Sequence, residues 1–441
     1  MRRKSGKVLA PGLYFFGCSL AASSAIATKE NAGTLPIAIL LYEWFFFHDL
    51  KLRWTRGQIL WGLFFILIFG SVIVWYMGGN PVKSLMAGYS YRDFTMLERV
   101  LTQFRIVIYY ISLFLWAPPG RLNLDHDYPL SIALFSPPTT FFCIIAIAAL
   151  MAVSAFIARK ERILSFCILW FFITQATEST IIGIELIFEH RTYIPFMMTS
   201  VMAVMLCFRL IQNKTSGYAL LSGVILLFSF WTYQRNLDWR DPVTFWSDAA
   251  AKSPQKYRSQ NDLGIALYDA GDIDGAIRQY QKAIEIAPDH TNVYNNMGNA
   301  LIRKGHVEPA IRYFTKTLSM DPNHTRARNN LANALMQQGK IDDAMKHFQI
   351  ILDRQPSHVE ANINMGATLA RMGRIDDALS HYRTAIQSDP NNPEAFNNMG
   401  VLFVQKNMPD EAKNHFQKAL TLRPGYESAI NNLRRLEQMQ K

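Results

Sequence analysis

The chain has 441 residues, of which 50% are hydrophobic and 18% charged, and its formal net charge is +11. Residues 1–242 hold 21 Lys and Arg against 13 Asp and Glu, whereas residues 243–441 hold 24 against 21. Several apolar runs in the first part approach the roughly 20 residues that span a bilayer. A single soluble globular domain is therefore excluded. All four cysteines lie in apolar segments, so we predict neither a disulfide framework nor a metal site.

Residues 1–242 are predicted to form a polytopic transmembrane helix bundle. The segment 99–117 begins with Arg99, Gln103 and Arg105, and charged groups inside a bilayer are costly. We therefore expect this segment to be interfacial or re-entrant. Seven spans are predicted elsewhere, at about 8–27, 34–48, 57–77, 138–158, 163–178, 193–211 and 218–234.

The basic residues orient this bundle. With the N-terminus inside, segments 1–7, 51–56, 159–162 and 209–214 hold 12 of the 21 Lys and Arg, as the positive-inside rule requires. We expect an integral membrane protein whose C-terminal part is extracytoplasmic. The excess of basic residues is then explained by membrane topology and does not indicate nucleic-acid binding. We therefore predict membrane lipid as a partner and do not predict nucleic acid. A signal peptide cleaved near Ala25-Ile26-Ala27 is an alternative that leaves the remaining topology unchanged.

A period of 34 residues dominates the second part of the chain. It is typical of the tetratricopeptide repeat (TPR), in which each unit is a pair of helices. The sequence therefore predicts an all-α protein, a transmembrane helix bundle followed by a TPR α-solenoid. Residues 243–256 form a half-repeat linker helix, 257–426 five repeats, and 427–441 a capping helix. The prolines that carry the period are Pro254, Pro288, Pro322, Pro356, Pro390 and Pro424.

Other columns of the repeat have mechanical reasons. A small residue at positions such as Gly264 lets two helices approach closely, and a glycine such as Gly271 supplies the turn between them, with Asn407 as a left-handed substitute. One polar column is not needed for packing and falls on the first helix of each pair. Because carboxamides donate and accept hydrogen bonds, this column could hold the backbone of an extended peptide, or it could simply be solvated. Its members are Asp262, Asn296, Asn330, Asn364, Asn398 and Asn432.

Polar residues also gather at the predicted outer ends of the spans. No nucleotide-binding loop, zinc-protease motif or serine-hydrolase elbow is present. Arg and Lys on one side of the membrane could hold a lipid-linked phosphate, and a carboxylate could take a proton from an acceptor hydroxyl. Ordinary loop residues at the headgroup level are the alternative. The residues concerned are Lys29, Glu30, Arg105, Asp125, Asp127, Glu189, His190 and Arg191.

Three membrane motifs carry a resemblance. They are ATKENAGTLPIAILLYEWFF (27–46), LERVLTQFRIVIYYISLFLWAPPGRLNLDHDYPLS (97–131) and ELIFEHRTYIPFMM (185–198). They resemble the C-terminal membrane part of bacterial TPR proteins related to GT-C glycosyltransferases, whose animal relatives are the transmembrane-and-TPR-containing O-mannosyltransferases. The asparagine column is similar to that of O-linked N-acetylglucosamine transferases. The resemblance implies protein O-glycosylation from a polyprenyl-phosphate sugar donor at the bacterial inner membrane, with the TPR groove binding the protein acceptor.

The resemblance carries Lys29, Glu30, Glu189, His190 and Arg191 over as donor-phosphate or acceptor contacts. GT-C enzymes also place an essential acid in the first outer loop, and the first apolar segment here matches a middle span of that family. The resemblance thus implies that the early spans and their loop are missing, and leaves catalysis by this chain open. A non-catalytic membrane-anchored TPR adaptor is the main alternative, and a carrier of lipid-linked substrates is a third.

Overall fold

The computed structural model describes residues 34–47, 50, 67, 71, 74–75, 78–89, 92–176, 179, 185–187 and 189–440. The described residues are helical with turns and loops, and no strand occurs among them. The predicted all-α fold is confirmed. The chain divides into two compact units, Met1–Asp241 and Pro242–Lys441.

The first unit contains seven α-helices in its described residues, and short 3-10 turns lie at Pro119–Arg121 and Glu189–Thr192. The helices are α1 (Leu35–Phe46), α2 (Pro81–Ala87), α3 (Met96–Leu115), α4 (Thr139–Ile157), α5 (Arg162–Ala176), α6 (Tyr193–Leu210) and α7 (Lys214–Asp238).

Three of these helices, α4, α6 and α7, are long and apolar enough to cross a membrane, within the part of the chain that the structure describes. Most of their surface lies outside the protein core, so the apolar side chains face outward. Helices α1 and α5 coincide with the predicted spans 34–48 and 163–178 but are shorter, at 12 and 15 residues. The predicted span 8–27 and most of 57–77 lie outside the described residues.

Helix α3 organises the loops of the first unit. Thr95 caps its N-terminus and Glu98 completes a reciprocal capping box, which fixes where the helix begins. Its buried side chains Ile106 and Tyr110 pack against Ile187 in the segment that precedes α6. This packing brings residues 185–187 next to α3.

The second unit is a stack of helix pairs. Helix α8 (Pro242–Lys252) packs against the first pair. Five pairs then follow at the predicted period: α9 (Tyr257–Asp269) with α10 (Ile273–Ile286), α11 (Thr291–Arg303) with α12 (Val307–Met320), α13 (Thr325–Gln337) with α14 (Ile341–Arg354), α15 (Val359–Arg371) with α16 (Ile375–Ser388), and α17 (Pro393–Gln405) with α18 (Pro409–Leu422). The amphipathic α19 (Glu427–Met439) covers the last pair through Leu436.

The small-residue column sits where the two helices of a pair touch. A Cβ atom on Gly298 would lie 2.4 Å from Cε1 of Phe314, a ring that is completely buried. The same contact recurs between Gly264 and Tyr280. The predicted close approach is confirmed, and the aromatic column fills the space that the missing side chain leaves.

The predicted turns are confirmed too. Gly271 has φ of 90°, and Asn407 replaces glycine at the same place in the fifth repeat with φ of 57°. Both lie in the left-handed region, where glycine is favoured and asparagine is tolerated. The second helix of each full repeat ends two residues before the repeat's proline, as α12 does at Met320 before Pro322.

Candidate functional site

The first helices of successive pairs lie side by side, since α13 contacts both α11 and α15. They form one continuous face of the second unit, and the predicted polar column lies along it. All six side chains of this column are half-buried.

The asparagines of this column are linked from repeat to repeat. Each bond runs from a half-buried amide to the amide oxygen of an asparagine 35 residues earlier. We call this arrangement the asparagine ladder. Its bonds are Asn296 Nδ2 to Asn261 Oδ1, Asn330 Nδ2 to Asn295 Oδ1, Asn364 Nδ2 to Asn329 Oδ1 and Asn432 Nδ2 to Asn397 Oδ1, all 3.0 Å long.

Three of the four ladder bonds join a half-buried donor to a buried acceptor, whereas Asn261 is half-buried like its donor. The acceptors Asn295, Asn329 and Asn397 are buried, at 6%, 1% and 5% exposure. A buried polar group needs a hydrogen-bond partner, so the ladder satisfies these oxygens. It also fixes the rotamer of the half-buried donor, which is the side chain that a ligand would meet.

The ladder leaves hydrogen-bonding capacity unused. An amide carries two N–H donors and one oxygen acceptor. Among residues 242–440, all of which the structure describes, no protein donor bonds to Oδ1 of Asn296, Asn330 or Asn364. Oriented oxygens of this kind can accept the backbone N–H groups of an extended chain without selecting its side chains.

The column is interrupted at two places. Asp262 brings a carboxylate, which accepts from Asn261 Nδ2 at 2.9 Å and lies 3.8 Å from Arg258. Asn398 has no ladder partner because Ile363 stands 35 residues before it. Its Oδ1 instead accepts from Asn397 at 3.2 Å.

A second cluster lies in the first unit, between the loop 118–137 and the turn at Glu189–Thr192. Glu189 Oε1 accepts from the backbone N–H of Asn123 at 2.7 Å and lies 2.9 Å from Nε2 of His126. A carboxylate only accepts, so the imidazole donates in this contact. The Glu189 carboxylate thereby joins the turn to two loop residues, Asn123 and His126, which lie 66 and 63 residues earlier in the chain.

Aromatic rings connect this contact to a guanidinium. The ring of Tyr109 lies 5.7 Å from that of His126 and 6.0 Å from that of Tyr128. Arg105 stacks over Tyr128 at 4.9 Å and donates to the carbonyl of Pro129 at 2.8 Å. The loop cluster is defined by Arg105, Tyr109, Asn123, His126, Tyr128 and Glu189.

The other predicted site residues of the first unit differ in how closely they approach the loop cluster. The carbonyl of Asp125 accepts from Asn123 Nδ2 at 3.0 Å, at the edge of the loop cluster, and Asp127 is exposed. Lys29 and Glu30 lie outside the described residues. His190 and Arg191 belong to the turn Glu189–Thr192, but their side chains lie outside what the structure describes.

The sequence did not single out Tyr109 or Arg121. The hydroxyl of Tyr109 donates to the Arg121 carbonyl at 2.8 Å, and Arg121 donates to the Trp116 carbonyl at 2.8 Å. Nothing in the spacing of Tyr109 and Arg121 along the sequence indicates that the chain folds back to join them.

The polar residues that argued against a span at 99–117 have definite partners. Arg99 is completely buried in α3, and its Nη1 donates to the Glu185 carbonyl at 3.5 Å. Gln103 donates to the Leu186 carbonyl at 3.0 Å. These contacts fix the segment that leads into Glu189, so Arg99 and Gln103 position the loop cluster.

Comparison with known protein families finds matches in the second unit. Family profiles described as TPR repeat or tetratricopeptide repeat match residues 264–305 and 366–407, 295–359, and 393–426. The chain therefore contains TPR repeats, and repeats of this kind bind proteins or peptides. No curated protein matches the chain.

Three solved structures illustrate the similarity. The TPR protein YrrB, described with an unusual peptide-binding site, is 22% identical over 42% of this chain and 96% of its own, with a TM-score of 0.33. A MamA structure is 25% identical over 37% and 95%, with a TM-score of 0.33. MamA from Desulfovibrio magneticus RS-1 is 19% identical over 38% and 96%, with a TM-score of 0.34.

Proposed function

We propose that the face formed by the first helices binds an extended segment of a partner protein through the asparagine ladder. The observation that carries this proposal is that the ladder orients half-buried amides in register, repeat after repeat. Each amide keeps an acceptor for a backbone N–H, so the ligand is held by its main chain. This mode of recognition tolerates many side chains.

A random peptide library displayed on phage, panned on the detergent-solubilised full chain, tests this function. The tightest selected peptide is then titrated calorimetrically into wild type and into Asn330→Ala and Asn364→Ala. A hydrogen bond contributes about 1 kcal/mol, so each variant should weaken binding about fivefold. Asn414→Ala is the matched control, because Asn414 is exposed on the second helix α18. Equal affinities in all four proteins would reject the groove.

The repeat array is anchored to a membrane in this proposal. Its support is the three long apolar helices of the first unit and the distribution of Lys and Arg between the predicted spans. The array then stands outside the cytoplasm. A reporter that is active only outside the cytoplasm, fused after Lys441, should give a signal. Activity of a cytoplasmic reporter at the same position would place the repeats on the other side.

Sugar transfer is the second candidate function. Its specific support is the contact of Glu189 with His126, which joins two of the three motifs that resemble GT-C-related proteins. In this function Arg105 and Arg191 hold the phosphate of a polyprenyl-phosphate sugar with Lys29. Glu189 takes the proton of an acceptor hydroxyl as that oxygen bonds to the anomeric carbon and the polyprenyl phosphate leaves, and the ladder binds the acceptor protein. A lipid-linked sugar is therefore the proposed donor.

Transfer from a radiolabelled polyprenyl-phosphate sugar to proteins of the same membranes separates the two candidates. Glu189→Gln, Arg105→Gln and Arg191→Ala should each abolish transfer if the loop cluster is catalytic. Asp93→Asn serves as a control, because Asp93 is an exposed carboxylate of the first unit outside the loop cluster. If wild type shows no transfer but Asn330→Ala and Asn364→Ala weaken its peptide binding, the adaptor function remains, in which the spans only tether the repeats.

A further inference from the structure

A polar pocket of about 310 Å³ opens in the third repeat, between the start of α13 and the end of α14. Its lining includes Asn323, Arg328, Arg354 and Gln355. Arg328 and Asn330 are two residues apart on α13, and residues at this separation do not share a helix face. The pocket is therefore distinct from the asparagine ladder.

Two guanidinium groups dominate the charge of this pocket. Arg328 donates to the Pro322 carbonyl at 2.6 Å, and Arg354 donates to Oδ1 of Asn323. Burial and the charge of Arg354 lower the pKa of Arg328, which places the two cations within electrostatic reach of each other. Neither forms an ion pair with a carboxylate within residues 242–440, all of which the structure describes.

The nearest carboxylates along the chain are engaged elsewhere. Asp353 accepts from Gln349 at 2.7 Å, and Asp321 accepts from the backbone N–H of Asn323 at 2.9 Å. Like charges in a partly buried place are unfavourable unless an anion offsets them. Arg328 Nη1 also lies 3.5 Å from Nδ1 of His347, which carries no negative charge. The pocket thus combines a positive charge that no ion pair offsets with amide and guanidinium N–H groups.

Comparison between repeats shows that the fold does not require these charges. The position of Arg328 is held by Gln260, Tyr294, Asn362 and Phe396 in the other repeats. Neutral Tyr294 and Asn362 bind the equivalent proline carbonyls at 2.9 and 2.8 Å, so this structural contact needs no cation. The position of Arg354 is held by Ile286, Met320, Ser388 and Leu422.

We propose that the pocket of the third repeat binds a compact oxyanion, the phosphate or carboxylate group of a protein ligand. Arg354 is exposed and can present its guanidinium fork to two oxygens, while the less mobile Arg328 contributes charge from within the pocket. Asn323 and Gln355 supply further N–H donors at the rim. This site acts independently of the asparagine ladder.

Titration of the full chain in detergent with inorganic phosphate, and separately with acetate, at constant ionic strength tests the site. Arg354→Gln and Arg328→Asn should each weaken binding at least about tenfold, as expected for a charge-assisted hydrogen bond. Arg328→Asn introduces the residue that the fourth repeat uses at this position, which preserves the proline contact. Arg312→Gln, an exposed arginine on α12, removes the same charge elsewhere and should leave binding unchanged.

Tighter binding of phosphate than of acetate would identify a phosphorylated ligand, and the reverse order a carboxylate; both support the site. Absence of binding of either anion to the wild type would overturn it. An equal loss in Arg312→Gln would also overturn it, because net charge alone would then explain the binding. Peptide binding by the ladder is measured separately in Asn330→Ala. A negative result for anion binding in the pocket therefore leaves the proposal for the ladder standing, and the reverse also holds.

Discussion

Asn330 on α13 donates to Oδ1 of Asn295 on α11 at 3.0 Å, and a second bond from the same nitrogen reaches Asn299 at 2.9 Å. The interface between two repeats is thus polar at the face where a ligand would bind, and apolar where the helix pairs stack. A purely apolar contact would offer a ligand no hydrogen bonds. In the proposed function, the same amides join neighbouring repeats and meet the ligand.

The buried member of a ladder bond should matter more for stability than the half-buried one. Asn329 accepts from Asn364 and donates to Glu360 at 2.7 Å, and it is 1% exposed. Replacing it by alanine removes both hydrogen bonds from a buried position, which should lower the free energy of local unfolding by about 1–3 kcal/mol at about 0.5–1.5 kcal/mol per bond. Hydrogen exchange of α13 and α15, read by mass spectrometry, measures this loss directly.

Asn414→Ala provides the comparison for Asn329→Ala, since Asn414 is exposed and lies on a second helix. Its exchange should match the wild type. Unchanged protection of α13 and α15 in Asn329→Ala would contradict a structural role for the ladder.

The contact between glycine and the aromatic ring gives a second stability prediction. Gly298→Ala places a Cβ 2.4 Å from the completely buried ring of Phe314, so the ring or the backbone must shift to accept it. Overpacking should cost about 1–3 kcal/mol, against a gain of up to about 1 kcal/mol in helix propensity. Thermal unfolding followed by far-UV circular dichroism should therefore show a lower midpoint for this variant.

The third repeat offers the matched control, because Ala332 already occupies the glycine position beside Phe348. Its Cβ is accommodated in the native packing. Ala332→Gly should lose roughly 1 kcal/mol of helix propensity and, because Ala332 is completely buried, roughly a further 1 kcal/mol for the removed methyl group, with no overpacking. A higher midpoint for Gly298→Ala would show that the ring yields more readily than the geometry indicates.

The repeat half was predictable because its period is short and each column has one mechanical role. Gly271 and Asn407 could be assigned to turns from the sequence, since few residues adopt the left-handed conformation. The ladder was only partly predictable: the column of Asn330 was visible, but its acceptor Asn295 occupies an adjacent column whose burial cannot be read from spacing.

The loop cluster was harder to predict because its contacts join distant, non-repeating segments. The sequence singled out Glu189 and Asp125 as residues on one side of the membrane. It did not indicate that the Glu189 carboxylate binds the Asn123 backbone, 66 residues away. Such a contact depends on how α3 packs on the segment at Ile187, and periodicity carries no information about that packing.

Asn407 allows a sensitive test of the turn conformation. Its φ of 57° is strained for most residues, and the other repeats have glycine there. Asn407→Gly should keep or slightly raise the stability of the last repeat, whereas Asn407→Ala should lower it by about 1 kcal/mol. Hydrogen-exchange protection of α17 and α18 distinguishes the two variants. Equal protection in both would mean that the left-handed conformation at this position costs alanine no more than glycine.

The repeats should also lose stability on acidification, through three histidines in one register of the second helices. Burial lowers the pKa of His347, His381 and His415 below the ordinary value of 6.5. In His381, Nδ1 lies 2.9 Å from Oδ1 of Asn362, whose nitrogen is occupied by the Pro356 carbonyl. The neutral ring therefore donates through Nδ1.

The sign of the pH effect follows from these pKa values. Above the ordinary pKa of 6.5, both the folded and unfolded forms are neutral and stability does not depend on these groups. Below it, the unfolded chain binds protons that the folded chain resists, so the free energy of unfolding falls as pH drops toward the folded-state pKa. Once the folded form also protonates, the loss levels off.

The variant His347→Gln/His381→Gln/His415→Gln tests this mechanism, because Gln279 holds the same register in the first repeat. Wild type should lose thermal midpoint between about pH 7 and pH 5, and the variant should lose much less over that range. His306→Gln is the control outside the register, because His306 is exposed and its side chain makes no cap hydrogen bond to α12. An equal slope in wild type and the triple variant between about pH 7 and pH 5 would show that these three histidines do not carry the acid sensitivity.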